Sequence, residues 1–292
     1  MRVNQQIKLR DGRTLGYAEY GNEESAPILM FHGHPGSRLF TFPSSETTQA
    51  RILLLDRPGY GLSTFKIDRT LLDWADDVLE FADKLKLERF AIAGYSGGGP
   101  HALACAFKLG HRITSVASVS GCSPFQVPGV LDNVNGFNRW MYSWSARAPK
   151  LMMNLFSPLG WITSLNVKPF LLGFSASLPA SDRDVAAQPG ILDMLETHIR
   201  EAFRQGANGF SWEAGILGRP WGFQLKDIHV PTHIWQGEED RNVGMEMGRY
   251  LVKAIPDAKG HFFAGEGHLG MLLNHWSEIL EQLLKPEESQ RD

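Results

Sequence analysis

The stretch Ala91 to Ala104, AIAGYSGGGPHALA, crowds four glycines around a single serine, Ser96. It contains the pattern GxSxG, which chance alone produces often, so its surroundings carry the weight. Here the pattern closes a strand-like run, RFAIA, and opens a helix-like one, GGGPHALACAFKLG. That setting describes a sharp strand-to-helix turn that strains the serine backbone and points its hydroxyl outward. Gly94 and Gly98 are then expected where any Cβ would collide with neighbouring backbone. Ser96 would also stand at the amino end of a helix, whose unpaired N–H groups and dipole favour negative charge. A phosphate-cradling loop would need a Lys followed by Ser or Thr at P-loop spacing, or GxGxxG, and the stretch offers neither. Ser96 therefore reads as a nucleophile.

A nucleophilic serine acting on an acyl group needs donors for the developing oxyanion, a base, and an acid to orient that base. FHGHPGSR, Phe31 to Arg38, ends an earlier apolar run and supplies a loop whose His34 N–H faces Ser96. The second donor is the N–H of Gly97, directly after the nucleophile. His32 reads as a brace for that loop, whereas the His34 side chain is open to lining a pocket. HIWQGEEDRNV sets Asp240 after a strand and a glycine, and HFFAGEGHLG sets His268 between glycines after the last strand. The order serine, acid, histidine suits a triad in which His268 takes the Ser96 proton and Asp240 holds the imidazole. Glu238, Glu239 and Asp56 rival Asp240, Asp56 being expected to pair with Arg57 or pin its own loop. His101, His261 and His275 rival His268, but each falls within a strand or helix pattern.

Outward from this centre, IKLRDGRTLGYAEYG alternates around Asp11-Gly12 and reads as an antiparallel hairpin. APILMFHG, ARILLLDRPG, FAIAGYSG, ITSVASVSG, PTHIWQG and AKGHFFAGEG are short apolar runs ended by Gly or Pro, as in strands buried on both faces. Between them lie stretches of helical period such as TLLDWADDVLEFADKLKLE. Alternating strand and helix implies an α/β fold, a mainly parallel sheet with helices on both faces. The alternation breaks between about Phe125 and Pro220, a segment dense in Trp, Phe, Met, Pro and Gly. It reads as a helical cap (residues 125–220) inserted in a core formed by 1–124 and 221–292. The tail, KPEESQRD, reads as frayed.

The 292 residues carry 29 basic and 32 acidic side chains, a net charge of −3. No basic stripe or polybasic arm stands out, so neither nucleic acid nor a membrane is expected as a partner. No window approaches the roughly 18 apolar residues of a membrane helix. The N-terminal MRVNQQIKLRDG lacks a signal-peptide core. Cys105 and Cys122 read as buried, reduced thiols, so a cytoplasmic location is expected. His32 and His34 have no third ligand beside them; neither metal nor cofactor is expected.

FHGHPGSR, LLLDRPGYGLS, GYSGGG, GEED and GEGH together resemble the α/β-hydrolase superfamily, in particular its serine esterase and peptidase-like branch with an HGxPG oxyanion loop. The resemblance spans nearly the whole chain. It implies an α/β-hydrolase fold with about eight strands, the first pair antiparallel, and a cap at residues 125–220. Haloalkane dehalogenases and epoxide hydrolases carry an aspartate where this chain has Ser96. Prolyl aminopeptidase-like members usually have glycine at the place of His34. The expected function is a carboxylesterase acting on small to medium apolar ester substrates through an acyl-enzyme. Three readings stay open beside it: an aminopeptidase-type amide hydrolase, a C–C bond hydrolase and a non-catalytic ligand-binding receptor. The amide reading asks for a cap carboxylate, with Glu196, Glu201 and Glu213 as candidates. Substrate identity and oligomeric state are not legible.

Overall fold

A computed structural model describes residues 1–42, 49–132 and 134–285; the tail read as frayed lies outside the described residues from 286 onward. β1 (Arg2–Lys8) and β2 (Thr14–Gly21) form the expected antiparallel hairpin, with Gly12 at φ 86° in its turn. β2 pairs antiparallel with β4 (Arg51–Leu55), and from there every pairing is parallel. The order is β1, β2, β4, then β3 (Pro27–Phe31), β5 (Phe90–Tyr95), β6 (Ile113–Val119), β7 (Thr232–Gly237) and β8 (Lys259–Phe263). β3 to β8 coincide with the six short apolar runs and β2 with the second arm of the hairpin; β1 lies mostly ahead of the stretch read as the first arm, because RVNQQIK is too polar to stand out as an apolar run.

The unbroken apolar character of the central strands follows from burial on both faces. Leu29 and Phe31 of β3, with Leu53 and Leu55 of β4, join one core with Trp74, Val78 and Phe81 of α1 (Leu71–Lys84) and Leu103 of α2 (Gly98–Leu109). Ile28, Met30, Ile52 and Leu54, pointing the other way, join a second core with Trp276 and Ile279 of α11 (Trp276–Leu284). Side chains alternate across a strand, so neither face can be polar when helices cover both. Each fully buried leucine or isoleucine contributes roughly 1.5–3 kcal/mol relative to exposure.

Between β6 and β7 the chain runs through α3 (Gly136–Arg147), α4 (Pro149–Leu165), α5 (Lys168–Ser177), α6 (Ala180–Ala186), α7 (Ile191–Ala202) and α8 (Asn208–Leu217). Their own core holds Met141, Phe156, Phe203, Phe210 and Leu217, with Tyr60 from the loop after β4 reaching into it. The remaining helices, α9 (Met245–Ala254) and α10 (His268–Leu273), flank β7 and β8. No helix among the described residues is long and apolar enough to cross a membrane.

Candidate active site

The parallel strands β3, β5, β7 and β8 all end at the same edge of the sheet, and the residues singled out in the sequence stand just beyond those ends. Ser96 directly follows β5 and takes φ 53°, the left-handed region that non-glycine residues enter only when their surroundings force them. The turn is tight enough to exclude side chains. A Cβ on Gly94 would come within 2.5 Å of the Gly98 carbonyl oxygen, and one on Gly98 within 2.3 Å of the Phe31 oxygen. Gly97 is the N-cap of α2. A Cβ built there lies 3.4 Å from the His34 nitrogen, so these two backbone amides are neighbours. Among the described residues neither amide donates to a protein acceptor.

Asp240, in the loop after β7, and His268, the first residue of α10, are joined by a 2.7 Å hydrogen bond between Oδ2 and Nδ1. Both are nearly buried. The other carboxylate oxygen accepts the Asn242 and Val243 N–H groups at 2.8 and 2.9 Å, fixing the carboxylate in place. Burial disfavours a charged imidazole. The charge and hydrogen bond of Asp240, with the charge of Asp182, outweigh that and hold His268 above its ordinary value. Ser96 and His268 line one cavity of about 460 Å³. No hydrogen bond joins the Ser96 hydroxyl to the imidazole among the described residues.

Most of the cavity wall is apolar, with Phe40, Phe137, Met141, Leu159, Phe170 and Ile199 among its residues. Polar groups enter at Asn135, Asn138 and Asn242, at Tyr142 and at His198. Among the described residues no Asp, Glu, Lys or Arg lines it. The His34 ring also lines it, stacked on Phe210 at 4.6 Å and donating from Nε2 to the Phe210 carbonyl at 2.8 Å. No group of three or more metal-ligating side chains occurs among the described residues.

A family model described as alpha/beta hydrolase fold matches residues 26–275. The chain belongs to the α/β-hydrolase fold family. A 2-hydroxy-6-oxononadienedioate/2-hydroxy-6-oxononatrienedioate hydrolase of Cupriavidus pinatubonensis is 27% identical over 226 residues, 75% of this chain and 70% of that one. A pimeloyl-[acyl-carrier protein] methyl ester esterase of Legionella pneumophila is 23% identical over 258 residues, covering 87% and 91%. A shorter match, 30% identical over 129 residues, covers 43% of this chain; the chain spans only 33% of that relative, a dihydrolipoyllysine-residue acetyltransferase component of the acetoin cleaving system of Pseudomonas putida. The crystal structure of a hydrolase from Pseudomonas aeruginosa superposes with a TM-score of 0.72 at 18% identity, covering 97% and 98%.

In this α/β hydrolase most of the rival residues are occupied elsewhere. His261 stacks on Trp235 and bonds His233, His275 bonds Glu278 and Glu266, and His101 is buried in α2 with its Nδ1 on the Gly97 carbonyl. Glu239 accepts from Ser181. Asp56 pins its loop by accepting the Leu62 N–H, but its ion pair is with Arg38 at 2.8 Å, not with Arg57. Consecutive side chains of an extended segment point to opposite sides, which separates these two. Arg57 instead lays its guanidinium against Glu213 of α8 at 2.8 and 2.5 Å and donates to the His32 and Gly33 carbonyls. His32 braces the same loop, donating from Nδ1 to the Gly33 carbonyl and accepting the Arg57 N–H at Nε2. Arg69 also bonds Glu213, at 2.9 Å. Glu213 is thus consumed by two arginines; Glu201 pairs with Arg38 and Glu196 with Arg200. None of the three carboxylates reaches the cavity.

Two residues escaped the sequence reading. Asp182 of α6 accepts the N–H groups of His268, Leu269 and Gly270 at 2.7, 2.8 and 2.9 Å, capping the helix that begins with His268. His198 of α7 accepts the Ser37 N–H at Nδ1, so its Nε2 carries the proton. Burial, despite the Ser37 bond, pushes it down to about 3 and keeps it neutral. Neither residue belongs to a motif; one Asp among 32 acidic side chains gives no signal.

Proposed function

We propose that the chain is a serine hydrolase of the carboxylesterase type, cleaving small to medium apolar esters through an acyl-enzyme. The observation that carries this reading is the 2.7 Å bond between Asp240 and His268 in the wall of the cavity that also holds the strained Ser96. In this reading His268 Nε2 takes the hydroxyl proton as Ser96 Oγ attacks the ester carbonyl. Asp240 keeps Nδ1 protonated and stabilises the imidazolium. The His34 and Gly97 N–H groups, aided by the amino end of α2, receive the oxyanion; losing one such donor typically costs about 100- to 1000-fold in rate. His268 then protonates the leaving alkoxide, and water repeats the sequence on the acyl-enzyme. Asp182 acts as a positioning residue for His268. Residues 125–220 serve as a cap, supplying most of the cavity's apolar wall. The buried free thiols Cys105 and Cys122 fit a cytoplasmic location.

The uncharged wall favours esters over the other hydrolase chemistries. An aminopeptidase needs a carboxylate for the substrate amine, and the described residues of the cavity wall supply none. A dioate, the kind of compound named for the Cupriavidus relative, carries two carboxylates and would meet no Lys or Arg among the described residues there. The Legionella relative, by its name, acts on a methyl ester.

The test is intact-mass labelling with a fluorophosphonate, followed by p-nitrophenyl esters of increasing acyl length and an aminoacyl-naphthylamide series. One adduct that Ser96→Ala abolishes, with turnover confined to esters and reduced by roughly 10⁴-fold or more in that variant, is the expected result. A Ser96→Ala protein that hydrolyses esters at the wild-type rate overturns the reading. Tight ligand retention with no labelling would support a receptor instead.

A further inference from the structure

Ten of the fourteen exposed large apolar side chains among the described residues lie between Phe137 and Leu192, on the inserted helices. α3 turns Phe137, Trp140 and Trp144 to solvent, and α4 does the same with Leu155, Ile162 and Leu165. The spacings of three, four and seven residues place each set on one stripe of its helix. Trp140 packs edge-on against the buried Phe156 of α4, its ring centroid 6.4 Å away, so the two helices lie side by side. Trp161, 67% exposed, and Leu172 of the neighbouring α5, 72% exposed, add to the apolar surface of these helices. Soluble monomers rarely leave so much apolar surface uncovered on neighbouring helices.

Charge identifies what covers it. From residue 133 to 181 the chain has no Asp or Glu, in a protein whose net charge is −3. The same segment carries Arg139, Arg147, Lys150 and Lys168, all exposed, and none forms an ion pair with a described residue. A second copy docked on this face would set cations against cations. An anionic lipid surface would pair with them while taking up the tryptophans, whose rings favour the headgroup layer. Arg and Lys stems lie along apolar surface and keep their charge at the lipid headgroups, which completes the match.

We propose that the face formed by α3, α4 and α5 docks on the surface of an anionic lipid bilayer, lying on it without crossing it. Phe137 belongs both to this face and to the cavity wall, so the face borders the cavity. One corollary, that apolar esters pass from the bilayer into the cavity, rests on the hydrolase reading; the docking itself does not.

The experiment is co-sedimentation of the full chain with extruded phosphatidylcholine vesicles, with and without phosphatidylserine, over a range of salt. Binding should appear with phosphatidylserine and weaken as salt rises. Arg147→Gln and Lys150→Gln should each cost about fivefold in partitioning. Trp161→Ser combined with Leu165→Ser should cost at least about tenfold, since each removes a buried apolar side chain from the lipid. Melting curves and circular dichroism matching wild type show that these surface variants fold. Equal partitioning to both vesicle types, or none to either, overturns the proposal. So does a concentration-dependent dimer that the Trp161→Ser/Leu165→Ser protein loses, which would make the face an interface between copies. Ser96→Ala should bind vesicles like wild type; anionic binding with no ester turnover by wild type would sink the hydrolase reading and leave the docking intact.

Discussion

Replacing Glu213 by Gln isolates the charge that ties α8 to the sheet domain. The substitution keeps shape and one carbonyl oxygen, but it leaves the guanidiniums of Arg57 and Arg69, 0% and 1% exposed, without their only carboxylate. Breaking a buried ion pair by neutralising one partner costs about 3–5 kcal/mol, because the stranded charge has lost both water and its counter-ion. For 292 residues the unfolding entropy is about 0.6 kcal/mol per degree, so the melting temperature should fall by about 5–8 °C at pH 7. The pH dependence has a definite sign. Burial opposes ionisation of Glu213, but Arg57, His101 and Arg69 hold it well below the ordinary 4.5. Its contribution is therefore fully present above pH 4.5 and lost only as pH falls through that depressed value. The gap between the wild-type and Glu213→Gln melting temperatures should stay constant from pH 7 to about 5 and close only below that. Arg57 also fixes the His32 and Gly33 carbonyls, so fluorophosphonate labelling of Ser96 should slow in parallel. Differential scanning calorimetry across pH reads the first effect directly. A variant melting within about 1 °C of wild type at pH 7 would mean that both arginines are satisfied without the carboxylate, and the reasoning would fail.

The base proposed for the reaction works only when neutral, and His268 sits above its ordinary 6.5. The acid limb of the kcat/KM profile should have its midpoint above 6.5, and Asp240→Asn should move it to lower pH with a large loss of rate; a limb that stays put removes Asp240 from its role. Asp182→Asn keeps an acceptor for two of the three N–H groups but sets an NH2 against the third. It should lower kcat roughly tenfold to a hundredfold and shift the same limb slightly toward acid. A lower melting temperature with kcat and pH profile unchanged would make Asp182 structural only. Gly98→Ala forces a methyl within 2.3 Å of the Phe31 oxygen and 2.7 Å of the His32 oxygen, so soluble yield should collapse. Recovery of folded, labelled Gly98→Ala protein would contradict the tight turn.

Much of the architecture was legible because strand burial on two faces writes itself into sequence as short apolar runs ended by Gly or Pro. That signal located β3 to β8, while alternation around Asp11-Gly12 located β2 and only the end of β1; GYSGG between a strand and a helix located the turn at Ser96. The order of Ser96, Asp240 and His268 could be read for the same reason: each follows a strand, and parallel strands deliver their ends to one edge. Partner choice could not be read. Asp56 and Arg57 are adjacent in the chain yet serve Arg38 and Glu213, and Asp182 caps a helix 86 residues away. The segment 125–220, dense in Trp, Phe and Met, reads as a cap, and much of it lines the cavity or its own core; Trp161 and Leu165 nonetheless face solvent. Periodicity in a sequence determines which side chains share a face of their own helix or strand. Which neighbour covers that face, and whether any does, is decided only when the elements pack, because burial and pairing belong to contacts between segments that the chain order leaves unspecified.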